Sequence, residues 1–258
     1  MLNYKNALIQ LVEVPAIVKG SNIGKSQGNE LLSIVRNSDA VILVLNSEKP
    51  LREFETLKEE LSAAEIRING RKPKLRMEKS QFKGMIISGK QNLRIPLEEF
   101  KLLLKQNGYL NSTVVIEEKI GKQETLDVMN DRLVYKNTLI LVLPHKSTNK
   151  EELTKLQKKE KPFIVESWNK KTKELLEEKL FELLGKILVY TKRPGEAAAD
   201  LPLAVPKNCT IGEVAKIVHK EIAQNLKFAR VWGSTKFGGQ RVAKDYALKQ
   251  GDIIEIYF

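Results

Sequence analysis

Apolar residues along this chain occur in short continuous runs that alternate with stretches of helical spacing. The runs predict strands at 8–14, 40–45, 138–143 and 163–166. The helical spacings predict helices at 27–37, 51–64, 150–161 and 169–184. Because AVILVL (40–45) and TLILVL (138–143) are apolar throughout, both are expected to be covered on both faces of a sheet. The alternation of strand and helix predicts a parallel sheet with crossover helices.

The pattern changes between the two covered strands. A short, basic, turn-rich stretch comes first, and helix, strand and helix are predicted at 97–107, 112–118 and 123–131. We interpret residues 66–134 as an insertion between two strands of one sheet.

A separate unit is predicted from residue 186 onwards. Gly185 is expected to end the preceding helix, because glycine adopts the left-handed conformation past a helix C-terminus. Thr210, with Glu213 three residues later, forms the pattern of a capping box at the start of a helix. Strands are predicted at 187–192, 229–233 and 252–258. An early strand, one helix and later strands are typical of a ubiquitin-like β-grasp.

The net charge of the 258 residues is +12, which favours polyanionic partners. From Arg67 to Lys83, the stretch RINGRKPKLRMEKSQFK carries seven Lys or Arg against one Glu. Phe82 is its lone aromatic residue, so contact with phosphates is expected there rather than stacking on bases. The candidate contacts are Arg71, Lys72, Lys74 and Arg76.

Several classes of protein are disfavoured by the sequence. No apolar run approaches the ~20 residues that span a bilayer, and MLNYKNALIQ lacks the features of a signal peptide. We therefore expect no membrane partner and a cytoplasmic location. A single cysteine, Cys209, excludes an internal disulfide, and with two histidines we expect no Cys-rich or His-rich metal site.

Three stretches resemble the DRG branch of the Obg-related GTPases, in that family's order. KILVYTKRPGE, ARVWG and GQRV resemble its TGS domain, YKNALIQLVEVPAIVKGSNIGKSQGNELLSIVRNSDAVILVL its switch region, and EELSAAEIRINGRKPK through ETLDVMNDRLVY its inserted domain. The resemblance implies an α/β fold in three parts. These are an incomplete P-loop GTPase-type parallel sheet (1–65 and 135–185), an α/β insert (66–134) and a C-terminal β-grasp, or TGS, domain (186–258).

The resemblance also shows departures from the family's nucleotide site. The family carries a phosphate loop before the switch, and we expect none here because the chain begins a few residues before Leu8. Glu13-Val14-Pro15-Ala16 stands where the family has Asp-x-Pro-Gly; Glu is one methylene longer, and Ala lacks the freedom of Gly. His145-Lys146-Ser147-Thr148 stands where it has Asn-Lys-x-Asp. We predict a degenerate site at Glu13, Pro15, Ala16, His145 and Lys146, and no catalytic residue.

One stretch within the resemblance is similar to a phosphate-loop motif. KGSNIGKS, from Lys19 to Ser26, nearly fits G-x-x-x-x-G-K-[ST]. Its first position is Lys instead of Gly, and the five residues Pro15 to Lys19 separate the predicted strand from its first glycine, Gly20. We interpret it as the loop after the switch.

TGS domains of related proteins are associated with RNA and the ribosome, and the resemblance implies the same role here. Its candidate basic residues are Lys192, Arg193, Arg230, Lys236 and Arg241. Trp232 lies in a predicted strand, where either core packing or contact with a partner fits.

Two functional hypotheses follow, with a non-functional remnant as a third possibility. The first is a translation-associated module that contacts the ribosome or structured RNA, with little or no GTP hydrolysis of its own and no cofactor for the lone chain. The alternative is the C-terminal part of an active GTPase. A separately encoded N-terminal polypeptide would then cover the open edge of the sheet and supply the phosphate loop, so that GTP and Mg²⁺ bind.

Overall fold

The structure is a computed structural model that describes residues 1–17, 26–81 and 83–258, and only the backbone of 26–29. Its strands are β1 (Leu2–Tyr4), β2 (Ala7–Ile9), β3 (Ala40–Leu45), β4 (Ile66–Ile68), β5 (Leu75–Lys79), β6 (Met85–Ser88), β7 (Ser112–Ile116), β8 (Val134–Val142), β9 (Phe163–Ile164), β10 (Lys186–Thr191), β11 (Leu203–Pro206), β12 (Phe228–Trp232), β13 (Gln240–Val242) and β14 (Ile253–Tyr257). Its helices are α1 (Ser26–Asn37), α2 (Pro50–Ala63), α3 (Leu97–Gln106), α4 (Lys122–Met129), α5 (Lys150–Glu160), α6 (Lys170–Leu183), α7 (Ile211–Val218) and α8 (Lys220–Gln224).

The described chain forms two compact units. The central unit is Ala16–Phe163, and the terminal unit combines Met1–Pro15 with Ile164–Phe258. In the central unit, β8 pairs in parallel with β3 on one side and with β4 on the other. The parallel sheet predicted from the alternation of strands and helices is therefore confirmed.

One face of this parallel sheet is well buried and the other is not. Leu43 of β3 is paired with Ile140 of β8, and these side chains are 6% and 3% exposed. Helix α2 contacts β3, β4 and α5. Val44 points to the other face and is 55% exposed, so the prediction that β3 is covered twice is wrong. Coverage of both faces needs a helical layer on each side, and the described residues provide none over Val44.

A second, three-stranded sheet belongs to the region predicted as an insertion. β7 lies between β5, with which it is antiparallel, and β6, with which it is parallel. Its buried face packs with α3 in a core that includes Leu75, Phe100, Leu104, Val114 and Ile116. β4 pairs with β8 of the parallel sheet, although it falls at the start of the predicted insertion. The three-part division of the chain stays a prediction.

The buried strand predicted at 8–14 is wrong. β1 and β2 form an antiparallel hairpin that ends at Ile9, and Leu11 and Val12 beyond it are 50% and 58% exposed. Lys5 and Asn6 both have positive φ, 49° and 67°, as a two-residue type I′ turn requires. After this turn, β2 pairs with β1 from Ala7 to Ile9, and none of the described strands pairs with the residues that follow up to Val14.

The hairpin is held by its inward-facing side chains. Tyr4 stacks on Phe181 of α6 with ring centroids 4.8 Å apart, and Ala7 packs with Phe181 and Leu188. Leu8, which alternates with these residues, is 68% exposed. Aromatic and apolar contact with α6 and β10 thus anchors the first residues within the terminal unit.

The rest of the terminal unit contains a five-stranded sheet in the order β11-β10-β14-β12-β13. One face packs on α7 through a core that includes Val189, Val205, Ile211, Val214 and Ile254. This is the predicted β-grasp. Gly185 has a φ of +63°, as expected for the residue that ends α6.

Helix α7 begins with the predicted capping box. The Thr210 hydroxyl accepts from the Glu213 N–H at 3.3 Å, and the Glu213 carboxylate accepts from the Thr210 N–H at 2.7 Å. The N–H of Thr210, followed by its hydroxyl, lowers the pKa of Glu213. Because the folded pKa is lowered, this contribution to stability is present above the ordinary pKa of glutamate and is lost as the pH falls through the folded pKa.

Replacing the residues of this capping box is expected to destabilise the terminal unit. Thr210→Ala should cost about 1 kcal/mol at neutral pH in urea unfolding, whereas Thr210→Ser should cost a few tenths at most. Glu213→Gln should destabilise near pH 7, and its difference from the wild type should shrink below pH 4. A Thr210→Ala variant as stable as the wild type would contradict this role of the cap.

Candidate functional site

The face of the five-stranded sheet opposite its core carries both cations and aromatic rings. Strand alternation places Phe228, Arg230, Trp232, Arg241, Glu255 and Tyr257 on it, and we call this set the outer face. Arg230 is opposite both Arg241 and Glu255 in the strand register, and Phe228 is opposite Tyr257. Arg230 and Arg241 are exposed. The structure thus brings two of the predicted basic residues together.

The carboxylate on the outer face is buried and compensated. Glu255 is 3% exposed, accepts from the Tyr257 hydroxyl and pairs with Lys192 at 3.2 Å. The hydrogen bond from Tyr257, followed by Lys192, holds the pKa of Glu255 below its usual value, and the same bond raises the pKa of Tyr257. Lys192, with its side chain 19% exposed, is therefore engaged internally rather than directed at a partner.

Trp232 is in contact with a lysine side chain and with a glycine backbone. The Lys192 ammonium lies 4.3 Å from the ring centroid. The backbone at Gly239, where φ is +73°, passes so close that a Cβ there would lie 2.9 Å from the ring. Trp232 therefore does not pack in the core, as one of the two alternatives had it; it is half-buried on the outer face, where Lys192 and Gly239 lie against it. The other predicted basic residues of this unit, Arg193 and Lys236, are exposed.

At the other end of the outer face, three side chains form a stack. The Arg241 guanidinium carbon lies 3.9 Å from the ring centroid of Phe228. Phe228 in turn stacks on Tyr257, with centroids 4.5 Å apart and planes 12° apart. Phe228, Tyr257 and Glu255 are not among the residues predicted from the sequence. Phe228 lies two residues from Arg230 on β12, and Glu255 lies two residues from Tyr257 on β14. This spacing of two is the sequence signal that places such residues on one face of a sheet.

The basic loop of the insert is partly neutralised by acidic neighbours. Arg71 pairs with Glu118, and Arg76 pairs with Glu117. Glu118 also accepts from the Lys74 N–H at 2.9 Å, and this bond is the main cause of its lowered pKa. The arginine side chains stay 69% and 74% exposed, and such exposed pairs stabilise weakly.

Lys72 and Lys74 complete this loop. Both are exposed, and neither ammonium has an ion-pair partner among the residues that the structure describes. Four cations therefore face two carboxylates, which leaves a local charge of +2 rather than the +4 predicted from the four basic residues alone.

The segment after β8 forms a turn that is held by hydrogen bonds between His145 and Thr148. The Thr148 hydroxyl donates to the His145 carbonyl and accepts from the His145 N–H, both at 2.6 Å, and the Thr148 N–H donates to the same carbonyl at 3.0 Å. His145 and Lys146 are exposed. The hydroxyl that stands in the position of a guanine-binding carboxylate is thus already used within its own turn.

The remaining predicted nucleotide residues lie outside helices and strands. Glu13, Pro15 and Ala16 are exposed; the first two belong to the terminal unit and Ala16 to the central unit. Nearly all of the phosphate-loop-like stretch from Lys19 to Ser26 lies outside the described residues. Within 1–17, 26–81 and 83–258, no group of three acidic, His or Cys side chains is placed to hold a metal ion.

Comparison with known proteins decides the family. The TGS domain model matches residues 187–258. A GTP-binding protein of Methanocaldococcus jannaschii is 33% identical over 264 residues, which cover 99% of this chain and 67% of that protein. Developmentally-regulated GTP-binding protein 2 of Homo sapiens is 28% identical, over 99% of this chain and 71% of its own length. The chain belongs to the DRG-type GTP-binding proteins.

Solved structures of GTP-binding proteins are also similar to this DRG-type chain. One from Pyrococcus horikoshii OT3 has a TM-score of 0.45 and 13% identity, over 86% of this chain and 79% of that one. The YchF GTPase of Schizosaccharomyces pombe has a TM-score of 0.48 and 14% identity, over 93% and 78%. No helix in the described part of this chain has the length and apolar character that crossing a bilayer requires.

The described residues fit a guanine nucleotide poorly despite this membership. Thr148 presents no carboxylate, and its hydroxyl is occupied by His145. Glu13 and Ala16 differ from the Asp and Gly of the family's switch. At these positions the chain therefore departs from the side chains that the resemblance implies.

Proposed function

We propose that this DRG-type chain acts in translation as a module that contacts the ribosome or structured RNA. It uses the basic loop of the insert and the outer face of the TGS sheet, and its degenerate nucleotide site supports little or no GTP hydrolysis. The protein works in the cytoplasm.

The observation that carries this proposal is the cross-strand pair of exposed arginines, Arg230 and Arg241, on the outer face. Side by side, like charges destabilise a sheet unless something compensates them. Glu255 lies opposite Arg230 and offsets part of this charge, but it also pairs with Lys192, so one carboxylate faces three cations. A polyanion supplies the negative charge that would neutralise the two arginines. The net charge of +12 favours the same class of partner.

Charge reversal in the insert tests the second contact. Replacing Arg71, Lys72, Lys74 and Arg76 with Glu should weaken binding to ribosomal subunits roughly ten-fold at low salt. The slope of log K against log [salt] should fall by about 2 to 3, because fewer counterions are released. Sedimentation with subunits or anisotropy with structured ribosomal RNA measures both quantities.

A matched control separates this site from net charge. Lys150, Lys158, Lys170 and Lys171 are exposed lysines on α5 and α6, and replacing them with Glu changes the net charge by the same amount. We expect a smaller loss and a nearly unchanged slope. Equal losses in the two quadruple variants would remove the insert from the proposal, and no binding by the wild type would overturn it.

The edge of the parallel sheet supports a second candidate function. β3 ends the path of strands and pairs with β8 alone among the described strands. Such an edge invites a further strand. In this alternative, a separate N-terminal polypeptide covers β3 and supplies the phosphate loop, so that GTP and Mg²⁺ bind to the pair. Co-purification of a polypeptide carrying G-x-x-x-x-G-K-[ST], with GTP turnover by the complex alone, would favour it.

A further inference from the structure

The stack on the outer face ends in an exposed guanidinium. Arg241 lies at stacking distance from Phe228, with 3.9 Å between the guanidinium carbon and the ring centroid. At this distance the guanidinium is close enough to lie against the ring, and its opposite side is then free of Phe228. Since Arg241 is an exposed residue, a further planar group has access to that opposite side.

The stack is also fixed in place before any ligand arrives. Phe228 and Tyr257 are half-buried, lie on paired strands and stack at 4.5 Å, and the Tyr257 hydroxyl is held by Glu255. A guanidinium resting on a ring fixed in this way loses less freedom on binding than a free side chain. Arg230, directly across the register from Arg241, places a second exposed cation next to the stack.

We propose that the outer face binds an unpaired RNA strand by stacking a nucleobase on Arg241, as the next layer of the Arg241–Phe228–Tyr257 stack. Arg230 neutralises the phosphate beside that base. This inference rests on the proposed function and deepens it: the TGS sheet reads single-stranded bases, whereas the insert contacts phosphates. A nucleotide has a planar base for the stack and a phosphate for the cation, so it matches both features. An acidic peptide matches the cation alone.

The test compares two probes that differ only in their bases. Fluorescein-labelled oligo(A) of about 12 nucleotides and an abasic ribose-phosphate chain of equal length are titrated with the full chain. We expect the wild type to bind oligo(A) about ten-fold more tightly than the abasic chain. Arg241→Lys keeps the charge and loses the plane, so this preference should fall to less than about two-fold while abasic binding is unchanged.

Arg52→Lys is the matched control, because Arg52 is an exposed arginine of α2 in the central unit, and it should keep the full preference. Circular dichroism verifies that both variants are folded. Equal binding of the two probes by the wild type, or a preference retained in Arg241→Lys, would overturn this inference and leave the proposed function standing. Polyglutamate serves as a competitor that has charge and no bases. If one concentration of polyglutamate displaced oligo(A) and the abasic chain equally well, the inference would also be overturned. A chain that binds neither probe would overturn this inference, and it would overturn the proposed function only if the same chain also failed to bind ribosomal subunits.

Discussion

Asp252→Asn is expected to destabilise the TGS unit by about 3 kcal/mol, the largest effect of a single-atom change that we predict in this unit. Asp252 is 1% exposed and accepts hydrogen bonds with both carboxylate oxygens. One oxygen accepts from the Ser234 N–H at 2.7 Å, and the other from the Ser234 hydroxyl at 2.7 Å and the Lys249 N–H at 2.9 Å. It joins the loop after β12 to the turn before β14.

An amide cannot replace this carboxylate in either orientation. Whichever oxygen of Asp252 becomes an NH₂ group, a donor then faces the N–H of Ser234 or of Lys249. A buried donor without an acceptor costs its full desolvation, which is why the expected loss exceeds that of an ordinary hydrogen bond. Tyr246, whose hydroxyl lies 3.1 Å from that of Ser234, extends the same network.

Urea unfolding monitored by tryptophan fluorescence measures this loss. In a Trp168→Phe background, Trp232 of β12 is the sole tryptophan and reports on the TGS unit. Asp245→Asn is the matched control: the same substitution at an exposed aspartate should change stability by less than about 0.5 kcal/mol. Equal stability of Asp252→Asn and Asp245→Asn would show that the network is not structural.

Gly233 tests the same contact from the other side. Its φ is +126°, and a Cβ there would lie 2.5 Å from a carboxylate oxygen of Asp252. Gly233→Ala should therefore destabilise the unit both by backbone strain and by displacing the carboxylate.

The elements that the sequence predicted well are those whose signals are local. Thr210 and Glu213 are three residues apart and fix the start of α7. Gly185 ends α6 through its own backbone conformation. The apolar runs of β3 and β8 identify strands because their length and β-branched content are properties of a few adjacent residues.

The contacts that could not be predicted from the sequence join residues that are far apart along the chain. The pairing of Arg76 with Glu117 spans 41 residues and is set by β5 lying beside β7. The contact of Phe228 with Tyr257 depends on the register between β12 and β14. Local pattern places each residue on a face, but it does not say which strand lies next to it.

The first strand shows how a local signal can mislead. The apolar residues between Leu8 and Val14 are typical of a buried strand, yet only Ala7–Ile9 pair, with β1 across the turn at Lys5 and Asn6. Lys-Asn is not among the strong type I′ sequences, which favour Asn-Gly or Asp-Gly. Stacking of Tyr4 on Phe181 supplies the tertiary contact that the local pattern could not contain.

The lone chain is expected to bind GTP more weakly than about 1 mM, in the presence or absence of Mg²⁺. The reason lies in the side chains at the family's nucleotide positions. Thr148 has no carboxylate to offer a guanine ring, and the proton of its hydroxyl is donated to the His145 carbonyl within the turn. Glu13 and Ala16 replace the Asp and Gly of the switch.

Isothermal titration with GTP and a non-hydrolysable analogue measures the affinity. The Methanocaldococcus jannaschii relative, which is named a GTP-binding protein, is the positive control. A version of that relative trimmed to the 264 aligned residues is the matched control for span. If the trimmed relative binds GTP while this chain does not, the altered side chains are responsible; if neither binds, the span alone accounts for the loss.

The opposite result would change the function assigned to the chain. Micromolar affinity for GTP, roughly a thousand-fold tighter than we expect, would correspond to about 4 kcal/mol of binding free energy that the described residues do not supply. Such binding by the lone chain, with turnover above background, would make it a GTPase in its own right. The degenerate site would then have to be withdrawn, whereas RNA contact through the outer face and the insert would remain open to its own tests.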